Sequence, residues 1–193
     1  MAFFQFQDQK VSYELFAEAV PEDTLLLHDG HTAWHGVSEQ LKMNYSDQSV
    51  SGRLATALWG DSTAFKDLAA LIRGLGMSEV HLLATPQAAL VALLAAVATP
   101  DLIAKVLLVN SSGANELQKL AHVELRTHFA QLHQPVLLLQ GTSQSPLLIQ
   151  DVKNLQSYLP SSKFMELHED LQALMTSNPA IFCQTLTGFF YTL

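Results

Sequence analysis

Four short apolar runs constrain this chain most: residues 25–27, 80–83, 106–109 and 136–139. A strand buried on both faces has no polar side to show, so it reads as a near-continuous apolar stretch. Runs of this kind, separated by segments long enough for crossovers, predict a parallel sheet covered by helices on both faces. Residues 164–167 predict another strand, and residues 41–45 a weaker one. The N-terminus reads differently. Phe4-Gln5-Phe6 and residues 11–16 alternate apolar with polar positions, which predicts an antiparallel hairpin turning around Asp8-Gln9.

Helical patterns fill the intervals. Asp61-Ser62-Thr63 can cap a helix through Phe65, Leu68, Ala69, Ile72 and Leu75, and Gly76 stands where that helix stops. Pro86 opens an Ala/Leu-rich helix to Ala98, with Pro100 just beyond. Further helices are predicted at 149–158 and, after Asn178-Pro179, at 180–190. The expected class is therefore α/β, a mostly parallel sheet of about eight strands with an N-terminal hairpin and helices on both faces. No repeat or linker divides the chain, so residues 1–193 are expected to form one domain.

Composition bounds the function. The apolar run 88–98 is too short to span a bilayer and reads as a buried helix. Residues 1–10 show neither a basic segment nor an apolar one, so no signal peptide is expected. A lone cysteine, Cys183, leaves no internal disulfide, and a cytoplasmic setting is the expectation. The net charge of −8 argues against nucleic acid or an anionic membrane as the main partner.

The order of these elements, with particular residues at the turns, resembles the α/β-hydrolase family over nearly the whole chain. Leu25-Leu26-Leu27-His28-Asp29-Gly30 looks like the family's third strand and its His-Gly oxyanion loop. Residues 61–83 are similar to its helix, "LG" turn and elbow strand. Residues 105–113 resemble the next strand and turn, and residues 135–141 the strand that ordinarily delivers the acid. Residues 164–182 resemble the last strand, the histidine loop and the start of the closing helix. The lid of the family is shortened here to residues 114–134, room for a helix or two around 117–132.

Carried over residue by residue, the resemblance places the G-x-S-x-G elbow on Ala84-Thr85-Pro86-Gln87-Ala88. Ala84 and Ala88 keep the small flanks that let helix approach strand, but Pro86 has no nucleophilic atom. Its ring holds φ near roughly −65° and disfavours an α conformation at Thr85, so the turn is expected to relax. The acid position falls on Gln144, and the alternative after the sixth strand offers Asn110-Ser111-Ser112, again without a carboxylate. The base position falls on Gln172, with His168 available if the alignment slips. Asp29 stands where the oxyanion loop ordinarily has glycine, and a carboxylate there opposes developing negative charge. These changes predict a non-catalytic protein with a degenerate triad and no cofactor.

Other polar clusters allow a functional reading and a simpler one. His28, His31 and His35 could hold a metal if the following segment is helical, although Trp34 and Val37 suggest plain helix amphipathicity. His168-Glu169-Asp170 could serve a displaced nucleophile such as Ser111, Ser143 or Thr85, making a hydrolase for ester- or amide-like substrates. A solvated loop explains it more simply. Cys183 reads as a packing residue rather than a reactive thiol. Trp34 and Trp59 line a pocket or fill space, and His122, His128 and His133 are explained by surface positions. The expected crevice is lined by His28, Asp29, Gly30, Thr85, Gln87, Ser111, Ser143 and His168. Its candidate occupants are a small molecule, a partner protein, or a second copy of this chain covering apolar surface that the short lid leaves open.

Overall fold

A computed structural model describes residues 2–6, 9–16, 23–28, 32–46, 54–58, 65–110, 127–142 and 146–191. The elements run β1 (Ala2–Phe6), β2 (Gln9–Phe16), β3 (Thr24–His28), α1 (Thr32–Ser46), β4 (Leu54–Leu58) and α2 (Phe65–Gly74). They continue with β5 (Val80–Ala84), a 3₁₀ turn (Pro86–Ala88), α3 (Ala89–Ala98), a second 3₁₀ turn (Pro100–Leu102) and β6 (Ile103–Val109). The chain closes with β7 (Val136–Gly141), α4 (Pro146–Gln156), β8 (Ser162–Leu167), α5 (Leu171–Ser177) and α6 (Pro179–Tyr191).

All eight strands form one sheet, ordered β1-β2-β4-β3-β5-β6-β7-β8. The four apolar runs are four of its central parallel strands, β3, β5, β6 and β7. β1 pairs antiparallel with β2, and β2 antiparallel with β4. Phe6 pairs with Gln9, so Gln9 already belongs to β2, while Asp8 lies outside the described residues. Alternation along the strands sorts their side chains onto two layers. Leu25, Leu27, Leu82, Ala84, Val106, Leu108 and Leu138 pack with α2, α3 and α4. Leu26, Leu83, Leu107, Val109, Leu137 and Leu139 pack with α1, α5 and α6.

α2 ends as its sequence predicts. Gly76 adopts φ 66°, with Met77 N–H donating to Ile72 O at 3.0 Å and Gly76 N–H to Arg73 O at 2.9 Å. That paired closure is the Schellman arrangement, which glycine enters without a Cβ penalty. The caps at Asp61-Ser62-Thr63 lie outside the described residues.

One strand expectation is corrected. Residues 41–45 are not a strand but the end of α1. Leu41, Met43 and Tyr45 mimic a two-residue period, yet Ala33, Trp34, Val37 and Leu41 form a buried helical stripe and Met43 is exposed. The strand between β2 and β3 is β4 instead, Leu-Ala-Thr-Ala-Leu, a sequence with weak β preference that is paired on both sides. Of the segment 114–134, the described part closes a helical turn that buries Phe129 and Leu132, with Leu132 N–H donating to Phe129 O at 3.0 Å. Among the described residues no helix is long and apolar enough to cross a membrane.

Candidate functional site

In a parallel sheet with this crossover pattern, the carboxyl ends of the central strands are where ligands bind. Thr85 ends β5 there. Its N–H donates to Leu27 O at 3.1 Å, which extends the β3–β5 ladder by one residue. The register pairs Leu27 with Ala84, so His28 at the end of β3 stands beside Thr85. Thr85 is extended, with φ −72° and ψ 169°, and Pro86 begins a 3₁₀ turn at once. Ala88 N–H donates to Thr85 O at 3.0 Å, and the chain passes through that turn into α3. The relaxed elbow expected from proline is what forms, because the ring excludes the left-handed geometry that would present a side chain at the helix N-terminus. Ala84 and Ala88 are fully buried, holding helix against strand.

Thr85 carries a feature that its sequence position conceals. It occupies the N-cap of the 3₁₀ turn, yet its hydroxyl makes no capping bond. The side chain is fully buried, and among the described residues Oγ1 has no hydrogen-bond partner. Threonine at an N-cap ordinarily accepts from a first-turn N–H, and a buried hydroxyl without a partner is costly.

The neighbouring strand ends are tied together. Asn110 follows β6 in a left-handed conformation, φ 48°, which a short polar side chain tolerates. Its N–H donates to Leu139 O at 2.9 Å, and its Oδ1 accepts from Gly141 N–H at 3.3 Å. Thr142 N–H donates to Leu167 O at 3.0 Å, joining the end of β7 to β8. Over Gly141 passes the loop after β8. A Cβ at that position would meet Glu169 O at 2.8 Å and Leu171 N at 3.0 Å, so only glycine admits the loop so closely.

That loop carries His168-Glu169-Asp170, all exposed. Asp170 is the N-cap of α5, accepting from Gln172 N–H at 2.8 Å and Ala173 N–H at 3.2 Å. Its Oδ1 is thereby engaged at the helix start. The sequence expectations contain no helix at α5, although an aspartate followed by Leu171, Leu174 and Met175 at helical spacing is a legible signal. Gln172, the residue at the base position, stands exposed in the first turn of α5.

The other candidates are distributed as follows. Gln87 is in the 3₁₀ turn, and His35 is exposed in α1. Asp29, Gly30, His31, Ser111, Ser143, Gln144, Trp59 and His122 lie outside the described residues. Among the described residues no group of three or more His, Cys, Asp or Glu side chains stands together as a metal site. His128 and His133 are exposed. Trp34 is buried edge-on against Phe182, with ring centroids 6.1 Å apart, and fills space between α1 and α6. Cys183 is buried, its Sγ facing Val37 O at 3.8 Å, and burial pushes its thiol up to about 12. A thiol so far from ionising is a packing group.

The strand order, the antiparallel second strand and the two helical layers define the α/β-hydrolase fold. Solved structures of that fold align over nearly the full chain. A predicted CIB-like hydrolase from Thermoplasma acidophilum superposes with a TM-score of 0.76 at 13% identity, covering 100% of this chain and 97% of that one. The enol-lactonase from Burkholderia xenovorans LB400 gives 0.70 at 12% identity, covering 98% and 99%. Naproxen esterase from Bacillus subtilis gives 0.70 at 12% identity, covering 98% and 90%. No protein-family model and no curated protein matches the sequence.

Proposed function

We propose that this is a pseudo-hydrolase, an α/β-hydrolase-fold protein that binds a small molecule or a protein partner at its crevice without turning it over. The observation that carries the reading is the turn after β5. An extended Thr85 leads into a proline-opened 3₁₀ turn, so the position at the head of α3 bears a ring with no atom able to attack a carbonyl. The engagement of Asp170 as a helix cap adds support, since it occupies one of the two carboxylates that follow His168 in the loop. The glutamines at 144 and 172 are consistent with the same reading, because an amide does not stabilise an imidazolium as a carboxylate does.

The test is turnover of short-chain p-nitrophenyl esters by the wild type, Pro86→Ser and His168→Ala proteins, each metal-stripped and metal-supplemented. Background rates are expected throughout, including for Pro86→Ser, since a serine alone restores neither base nor acid. Wild-type turnover that disappears in His168→Ala would replace this reading with a hydrolase of displaced catalytic groups. Dependence on added metal would instead direct attention to His28, His31 and His35.

A further inference from the structure

At the amino end of the sheet, opposite the crevice, β5 and β6 bring two basic side chains into the interior. The register sets His81 beside Lys105, and the two are 4% and 8% exposed. Both lie on the face covered by α6, and both hold its last turn. The His81 imidazole stacks on the Phe190 ring, with centroids 4.8 Å apart and planes 17° from parallel. Lys105 Nζ donates to Phe190 O at 2.6 Å and to Phe189 O at 3.4 Å. Its ammonium also stands 5.9 Å from the centre of the Phe189 ring. Lys105 therefore caps the negative end of a helix, where a cation is favoured.

We propose that the last turn of α6 is an acid-released latch: protonation of His81 sets an imidazolium beside the Lys105 ammonium and frees Phe189 and Phe190 from the sheet. Among the described residues, charged and titratable groups face or flank His81 from several elements. Lys105 faces it from β6, and Phe190 from α6. Asp23, buried just ahead of β3, accepts the His81 backbone N–H on its own backbone carbonyl at 2.8 Å, and Glu79 precedes β5 on an exposed turn. Burial first, and the Lys105 charge second, push His81 down from 6.5 to about 4. Once the turn leaves, the imidazole is hydrated and returns towards its ordinary range.

The sign follows from linkage. A histidine whose proton affinity is depressed in the closed state stabilises that state above pH 6.5 and loses the contribution as pH falls towards about 4. The opening constant of the turn then rises about tenfold per pH unit across that window, or roughly two orders of magnitude in all.

Hydrogen exchange of the full chain between pH 7 and 4, corrected for intrinsic rates, reads this directly. Opening at residues 186–191 is expected to rise steeply below pH 6.5 while α3 stays protected. His81→Phe keeps an aromatic stack without a titrating group, and should flatten the dependence. The NMR titration of His81 Cε1–H in the wild type, with a midpoint well below 6.5, gives a reading that needs no variant. A flat wild-type profile, an equally steep His81→Phe profile, an unshifted His81 midpoint, or α3 opening in step with α6 would each overturn the latch.

Discussion

Replacing Thr85 with valine isolates the energetic consequence of the relaxed elbow. Valine has nearly the same shape and the same β-branched preference for the extended conformation that Thr85 adopts. The substitution exchanges one atom group, a hydroxyl for a methyl, at a position with no exposed surface. Because Oγ1 has no partner among the described residues, no hydrogen bond to them is lost. A buried hydroxyl left unsatisfied costs about 1–3 kcal/mol in desolvation, so Thr85→Val should stabilise the fold by about 1–2 kcal/mol. For a chain of this length that raises Tm by about 2–8 °C, using about 2–4 °C per kcal/mol. The assay is calorimetry together with urea denaturation at neutral pH, with the m-value compared so that a change in midpoint reports stability alone. Thr85→Ser is the companion, retaining the hydroxyl while removing the methyl, and should destabilise by about 1 kcal/mol through the small cavity it leaves. The reasoning is refuted if Thr85→Val melts below the wild type. That outcome would mean that the hydroxyl is engaged, by a bound water or a crevice ligand, and contributes to the native state.

Three further substitutions probe how the site is built. Ala88→Leu adds bulk to a fully buried contact between α3 and the sheet and should cost about 1–3 kcal/mol; an unchanged urea midpoint would contradict the close packing of that helix. Gly141→Ala drives a methyl into the backbone of the loop after β8, at 2.8 Å from Glu169 O. Since backbone yields poorly, its melting temperature should fall and exchange at residues 168–171 should accelerate, and a wild-type melting curve would argue against the close crossing. Asp170→Ala removes the cap of α5 and should destabilise by about 0.5–2 kcal/mol in chemical denaturation, whereas Asp170→Asn or Asp170→Ser should restore most of it.

The physical origin of each feature decides whether it could be read along the chain. β3, β5, β6 and β7 were legible because a strand enclosed on both faces leaves an apolar run in a short window. The β1–β2 hairpin was legible because one alternating face needs only its own residues to declare it. α2 and its stop at Gly76 follow from periodicity and from the one residue that enters the left-handed region freely. The proline at the head of α3 likewise announced a turn that had relaxed, since the restriction on φ is local.

Other features depend on partners far along the chain. β4 has little strand preference of its own and exists because β2 and β3 flank it. Leu41, Met43 and Tyr45 satisfy a strand period, and only the packing of α1 against α6 selects the helix. Asn110 anchors the crevice edge through Gly141, while Thr85 is left uncapped by its own turn. His81 meets Phe190 across more than half the chain. The sequence by itself determined the class of fold, the strand runs and the absence of a nucleophile at position 86, because each of these is set by residues within a few positions of one another. The tertiary structure alone decided which polar groups are satisfied, which buried base stacks beneath the closing helix, and which carboxylate is spent on a cap. Those outcomes depend on distances between residues remote in sequence, to which no local period responds.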